Sequence, residues 1–255
     1  MLEPIIELKG VSFVTQNETI IKDISYTYEE GKTTALVGPS GGGKSTMLKL
    51  SAGLLVPSGG EVYYRGMNIV DMNRAQNLSF RREGAVVFQD SALWANQSLY
   101  QILELPLRIH FPKMSRAERE ERIREVTAEA GYKRDLSIRP AKLSMGEQKL
   151  IAFARAMLCH PKLLFLDEWT ESLDDEAARR LLGIVTRFKA EGGTIILISH
   201  NLRVIQDIAD HVIIIIEGQL SMQVTGEQMA LDARLAKLVE KEINTCDSEY
   251  ALLIR

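Results

Sequence analysis

Gly38-Pro39-Ser40-Gly41-Gly42-Gly43-Lys44-Ser45 follows the apolar run Thr33–Val37 and leads directly into Thr46-Met47-Leu48-Lys49-Leu50, a stretch of helix-forming composition. The spacing G-x-x-x-x-G-K-[ST] between a strand and a helix is that of a phosphate-binding loop. Its glycines let backbone N–H groups turn inward around phosphate oxygens, and the helix that follows presents the positive end of its dipole. Lys44 is then placed to reach the β- and γ-phosphates and the Ser45 hydroxyl to ligate Mg²⁺, with Thr46 completing the expected contacts.

Outward from this loop the chain alternates strand and helix. Strands are expected at residues 5–8, 23–28, 33–37, 61–65, 85–88, 162–166, 194–199 and 211–216, and a helix at 44–52 that stops near Gly53. Residues 91–159 read as mostly helical, with a capping-box signature at Ser115-Arg116-Ala117-Glu118 opening a segment that runs to Gly131. This alternation predicts an α/β fold with a mostly parallel sheet. A single domain over residues 1–255 is expected: a nucleotide-binding core at 1–90 and 160–225, a helical subdomain at 91–159 and a tail at 226–255. In the tail Leu231, Leu235, Leu238 and Val239 form a helical stripe, and an apolar run follows at 251–254.

Leu163-Leu164-Phe165-Leu166-Asp167-Glu168 is a second pole of the chemistry, an apolar strand that delivers two carboxylates at its C-terminal end. Ligands of open α/β sheets sit at that end. Asp167 is the expected Mg²⁺ partner, and Glu168 is positioned to orient or deprotonate an attacking water, which distinguishes hydrolysis from simple nucleotide binding.

Composition narrows the function class. Of 255 residues 45% are hydrophobic and 25% charged, as in ordinary globular proteins, and the net charge is −3, so no basic excess recommends nucleic acid as a partner. Cys159 and Cys246 form no metal or redox pair, which suggests a reducing compartment. The most apolar runs, 195–198 and 212–216, are far shorter than the roughly 20 residues of a membrane-spanning helix, and residues 1–9 lack the basic region of a secretory signal.

Over about residues 5–225 the chain resembles the ATPase subunit of an ATP-binding-cassette (ABC) transporter. Besides the two motifs above, Gln89 matches the family's Q-loop glutamine, Leu143-Ser144-Met145-Gly146-Glu147 stands where the LSGGQ signature belongs, Ser172-Leu173-Asp174 matches the D-loop, and Ile198-Ser199-His200 ends with the switch histidine. The resemblance implies a P-loop NTPase core with an N-terminal antiparallel β segment and an inserted helical signature subdomain. It implies a homodimer with two ATP molecules, each held between the phosphate loop of one subunit and Ser144, Gly146 and Asp174 of the other. Lys44, Glu168 and His200 take the catalytic roles by this likeness, and Ser45, Gln89 and Asp167 the Mg²⁺. Separate transmembrane permease subunits are implied as partners, docking near Gln89 to Trp94 and keeping the ATPase peripheral on the cytoplasmic face of the membrane.

Met145 and Glu147 depart from the signature's usual glycine and glutamine, Trp169 replaces a common proline, and Thr15 stands where an adenine-stacking aromatic is usual. A side chain at 145 is expected to crowd the nucleotide if that backbone needs positive φ or close approach. Phe13 reads as a core residue in phase with Val11. Residues 88–94 and Leu105-Pro106-Leu107-Arg108 resemble the Mla/Mce-type phospholipid transport ATPases, which suggests phospholipid cargo; a small-solute transporter and a soluble, non-transport ABC ATPase are the alternatives. A GTPase would carry N-K-x-D, and no Asn here precedes Lys.

Overall fold

The strands at Thr33–Val37, Leu163–Asp167 and Thr194–Ile198 are buried at every position. Only strands covered on both faces can be so. The structure, a computed structural model, describes residues 4–16 and 18–252. In chain order the elements are β1 (Pro4–Val14), β2 (Thr19–Glu29), β3 (Thr33–Val37), α1 (Lys44–Ser51), β4 (Gly59–Tyr64), β5 (Met67–Asn68), α2 (Arg74–Glu83), β6 (Gly84–Val87), α3 (Leu99–His110), α4 (Arg116–Ala130), α5 (Met145–Met157), β7 (Leu163–Asp167), α6 (Asp175–Ala190), β8 (Thr194–Ile198), α7 (Leu202–Ile208), β9 (His211–Ile216), β10 (Gln219–Thr225), α8 (Gly226–Leu231) and α9 (Ala233–Leu252).

Among the described residues the strands form a six-stranded sheet, β10-β9-β3-β8-β7-β6, and a four-stranded sheet, β2-β1-β4-β5. Within the first, β9, β3, β8, β7 and β6 run parallel and β10 closes the edge antiparallel to β9. The second is antiparallel throughout. Because side chains alternate across a strand, the large sheet feeds two cores. Ala35, Val37, Leu164, Leu166, Ile195 and Leu197 pack with α3 to α7. Leu36, Leu163, Phe165, Ile196, Ile198 and Ile213 pack with α1 and the small sheet. The C-terminal ends of the parallel strands β3, β6, β7 and β8 share one edge, and the phosphate loop, Gln89, Asp167, Glu168 and His200 lie there.

Several elements differ from the sequence reading. Strands β1 and β2 are each 11 residues long, carried past the expected bounds by register shifts and by a left-handed backbone at Asp23 (φ 49°). Helix α2 was hidden by its polarity, Phe80 being its one buried residue; the reciprocal Asn73–Gln76 capping box is its signal. The tail forms two helices, and Leu231 ends the first of them 81% exposed, so the packing stripe consists instead of Leu235, Val239 and Ile243. The run 251–254 lies outside the residues whose side chains are described. Burial raises the Cys159 thiol to about 11, and no helix among the described residues is long and apolar enough to cross a membrane.

Candidate functional site

Strand β3 ends at Val37, and the loop turns at once. A Cβ at Gly38, whose φ is 145°, would lie 2.0 Å from the Ile215 carbonyl oxygen of β9, so the close approach of two backbones requires glycine there. Lys44, the first residue of α1, folds its Nζ back to donate to the Gly38 and Pro39 carbonyls, each at 2.8 Å. The loop is thereby braced by the same ammonium that can reach phosphate. Ser45 Oγ donates to Asp167 Oδ1 at 3.3 Å across from β7.

Asp167, the last residue of β7, and Glu168 just after it are both buried. Burial pushes the Asp167 carboxyl up, and the Ser45 hydroxyl with the cations Lys49, Lys149 and Lys44 pulls it part of the way back. Glu168 is pushed up further, to about 7, by burial first; the His200 amide opposes this, the nearby Asp167 and Glu171 add to it, and Lys44 opposes it. Its backbone is left-handed, with φ 44°, an uncommon state for a residue with a side chain and one that turns the carboxylate away from the strand direction. A carboxyl that titrates near neutrality at the mouth of a phosphate loop suits a proton acceptor.

These groups surround one cavity of about 420 Å³, walled by Ser40 to Thr46, Gln89, Asp167, Glu168, Ile198 and His200, with Glu18 and Ile20 on its outer side. That volume suits a small organic phosphate. Gly38 and Pro39 contribute carbonyls from behind the wall rather than surface. Glu18 and Ile20 escaped the sequence reading because only the β1–β2 hairpin brings them here. Thr15 does not line the cavity; its N–H and hydroxyl both donate to the Glu18 carbonyl and close the hairpin turn. Phe13 packs against the core. Gln89 Nε2 donates to Glu171 Oε2 at 3.1 Å, next to Glu168 in the wall. For Mg²⁺ the donor set fits: a hydroxyl and a carboxylate already 3.3 Å apart, with a glutamine amide on the same cavity, are the hard oxygen ligands that Mg²⁺ takes together with phosphate oxygens.

Ser144, Gly146 and Asp174 do not line this cavity. Ser144 caps α5: its Oγ accepts from the Glu147 amide at 3.2 Å, and Glu147 Oε2 accepts from the Ser144 amide at 2.9 Å. Arg134 Nη1 reaches both Glu147 oxygens at 2.9 and 3.0 Å and holds that carboxyl below its usual range. Glu147 is thus explained as an anion at a helix N-terminus with a guanidinium partner. Met145 has an ordinary helical backbone and is 70% exposed, so the crowding expected from a need for positive φ does not arise. Gly146 is needed for a different contact: a Cβ there would stand 2.9 Å from the Ser172 carbonyl. Asp174 Oδ1 accepts from the Ala177 amide as the cap of α6. Trp169 is fully buried and stacks on Phe153 of α5, centroids 5.9 Å apart, which fixes the residue after Glu168 against the helical layer.

On the far side of the Gln89 loop, Trp94 is 47% exposed and lines a second cavity of about 250 Å³ with Leu105, Pro106, Ile109, His110 and Arg155. The alternative of a buried Trp94 is not what the structure shows.

The family model described as "ABC transporter" matches residues 21–171. The nickel import ATP-binding protein NikE of Brucella suis biovar 1 is 38% identical over 207 residues, covering 80% of this chain and 77% of that protein. NikE of Shigella flexneri serotype 5b is 32% identical over 239 residues, covering 92% and 89%. Among solved structures, the dimeric post-hydrolysis state of the ATP-binding cassette MJ0796 bound to ADP and Pi superposes with a TM-score of 0.80 at 27% identity, covering 86% of this chain and 98% of that one.

Proposed function

The chain belongs to the ABC transporter family as an ATP-binding subunit, and on that premise we propose that it powers the movement of a small solute through separate membrane subunits. It is an ATPase that uses ATP and Mg²⁺, dimerises and works with transmembrane permease subunits. The observation that carries the assignment of roles is the meeting of Lys44, Ser45, Gln89, Asp167, Glu168 and His200 around one cavity.

In this reading Lys44 exchanges its loop carbonyls for the β- and γ-phosphate oxygens, and the amides of residues 40–46 hold the remaining charge. Ser45, Asp167 and Gln89 hold Mg²⁺, which when bound neutralises charge developing on the γ-phosphate. Glu168 accepts the proton of the attacking water, and His200 keeps its carboxylate aimed. Ser144, Gly146 and Asp174 act on the ATP of the opposite subunit, while residues 1–90 and 160–225 form the nucleotide-binding core, 91–159 the helical subdomain and 226–255 the C-terminal tail. The subunit sits peripherally on the cytoplasmic face of its membrane, held by permeases docked around Trp94.

For cargo, the relatives named above are nickel import ATP-binding proteins, which supports a small solute and favours it over phospholipid. The residues that suggested phospholipid, 88–94 and 105–108, supply Trp94, Leu105 and Pro106 to one groove. Phosphate release by the purified chain, abolished in Glu168→Gln, tests the ATPase roles. Stimulation of the complex purified with its permeases by nickel, and not by phospholipid vesicles, tests the cargo; the reverse result restores the lipid reading.

A further inference from the structure

Helix α5 carries a lysine in a place that suits a charge poorly. Lys149 is 3% exposed, and its ammonium donates to three backbone carbonyls: Gln89 at 2.5 Å, Phe88 at 3.3 Å and Glu168 at 3.3 Å. An ammonium has three N–H donors, so this geometry matches its full capacity, and Lys149 is absent from the wall of the nucleotide cavity. Burial lowers its proton affinity, while the carboxylates Glu171, Asp167, Asp90 and Glu168 support the charge. Six residues on, Arg155 donates from Nη1 to the Ala92 carbonyl at 2.7 Å and from Nη2 to the Ser91 carbonyl at 3.1 Å. Ser91 and Ala92 both have left-handed backbones, at φ 62° and 44°, a conformation that persists in non-glycine residues only when its surroundings hold it. One helix whose first turn is the signature therefore grips residues 88, 89, 91 and 92 and the carbonyl of Glu168.

We propose that Lys149 is a positioning residue for hydrolysis: it holds the backbones of Gln89 and Glu168 in register with α5, so that movement of the docking loop at Trp94 reaches the reacting carboxylate through the helix. The contacts are to main chain, so the link does not depend on the Gln89 side chain. The inference rests on the ATPase reading above.

The test uses the purified full chain with Lys149→Met, which keeps length and removes the donors, and Lys149→Gln, which restores amide donors. Lys149→Met is expected to bind Mg-ATP with a Kd within about threefold of wild type while kcat falls about tenfold or more, and Lys149→Gln to recover a substantial part of that rate. Added to Glu168→Gln, Lys149→Met should lower the residual rate no further, since residues acting through one group are not additive. A lower Tm with unchanged kcat assigns Lys149 to stability alone and overturns the inference. So do equal losses in binding and turnover, additive losses in the double variant, or failure of both variants to fold. Absence of turnover in wild type would instead overturn the ATPase reading, which the same assay measures first.

Discussion

His200 meets Glu168 at both carboxylate oxygens: its backbone N–H donates to Oε2 at 3.4 Å and its Nε2 lies 3.2 Å from Oε1. The residues follow the ends of adjacent strands, β7 and β8, whose register pairs Asp167 with Ile198. The reacting carboxylate is thus oriented from the loop that follows a neighbouring strand.

Replacing Glu168 with Gln keeps the shape and the hydrogen bond from the His200 amide but removes the proton acceptor. Mg-ATP should still bind, turnover should fall by at least about a hundredfold, and an ATP-bound dimer should accumulate on size-exclusion chromatography. Monomer in ATP together with wild-type turnover would exclude Glu168 from the role. Lys44→Ala should behave differently, losing nucleotide binding itself, because it deletes a charge-assisted contact.

The raised carboxyl of Glu168 also fixes a pH dependence. With a folded value of about 7 against an ordinary 4.5, the group stabilises the fold in its protonated form, and that contribution is lost as pH rises from below 4.5 through 7. Glu168→Gln should therefore melt higher than wild type at pH 8, with the difference closing by about pH 4.5. In wild type kcat/KM should rise with pH through the region near 7 as the base ionises. Parallel melting curves at all pH values would place the titration elsewhere.

At position 146 even a methyl group meets the Ser172 carbonyl. Gly146→Ala should lower stability by about 1–3 kcal/mol through overpacking and reduce turnover, since it pushes α5 away from residues 172–174. Met145→Gly, next door on the exposed side, should change stability by no more than about 1 kcal/mol. Denaturant melts of the two variants separate these outcomes.

Trp94 is the large aromatic of an exposed groove, the type of residue that anchors interfaces. Trp94→Ala should retain the basal ATPase of the isolated chain and weaken association with the permeases by about 2 kcal/mol or more. Full complex assembly and coupling in a folded Trp94→Ala protein would place the interface elsewhere.

The features legible in the sequence were those fixed by local spacing. The phosphate loop must follow a strand and open a helix within eight residues, and Asp167 and Glu168 must end an apolar run, so Lys44, Ser45 and both carboxylates could be assigned from their neighbours. Features made by distant pairing were not legible. Glu18 and Ile20 reach the cavity only because β1 and β2 form a long hairpin, and nothing local marks Lys149 as a buried cation until β6, β7 and α5 are packed. The positive φ considered for Met145 is absent for a related reason: the capping box formed by Ser144 and Glu147 starts an ordinary helix there, so residue 145 needs no unusual backbone.

Gly38 changes how loss-of-function alleles should be interpreted. Because a Cβ at this position would run into the Ile215 carbonyl, a substitution fails during assembly of the sheet, before any nucleotide is met. A genetic screen scored on lost transport would count Gly38 alongside Lys44 as an ATP contact, although the two alleles differ in kind. A Lys44 allele leaves a folded subunit able to occupy its place in the complex and poison it, whereas a Gly38 allele leaves little protein to compete. Dominance in a cell that also carries the intact gene distinguishes them.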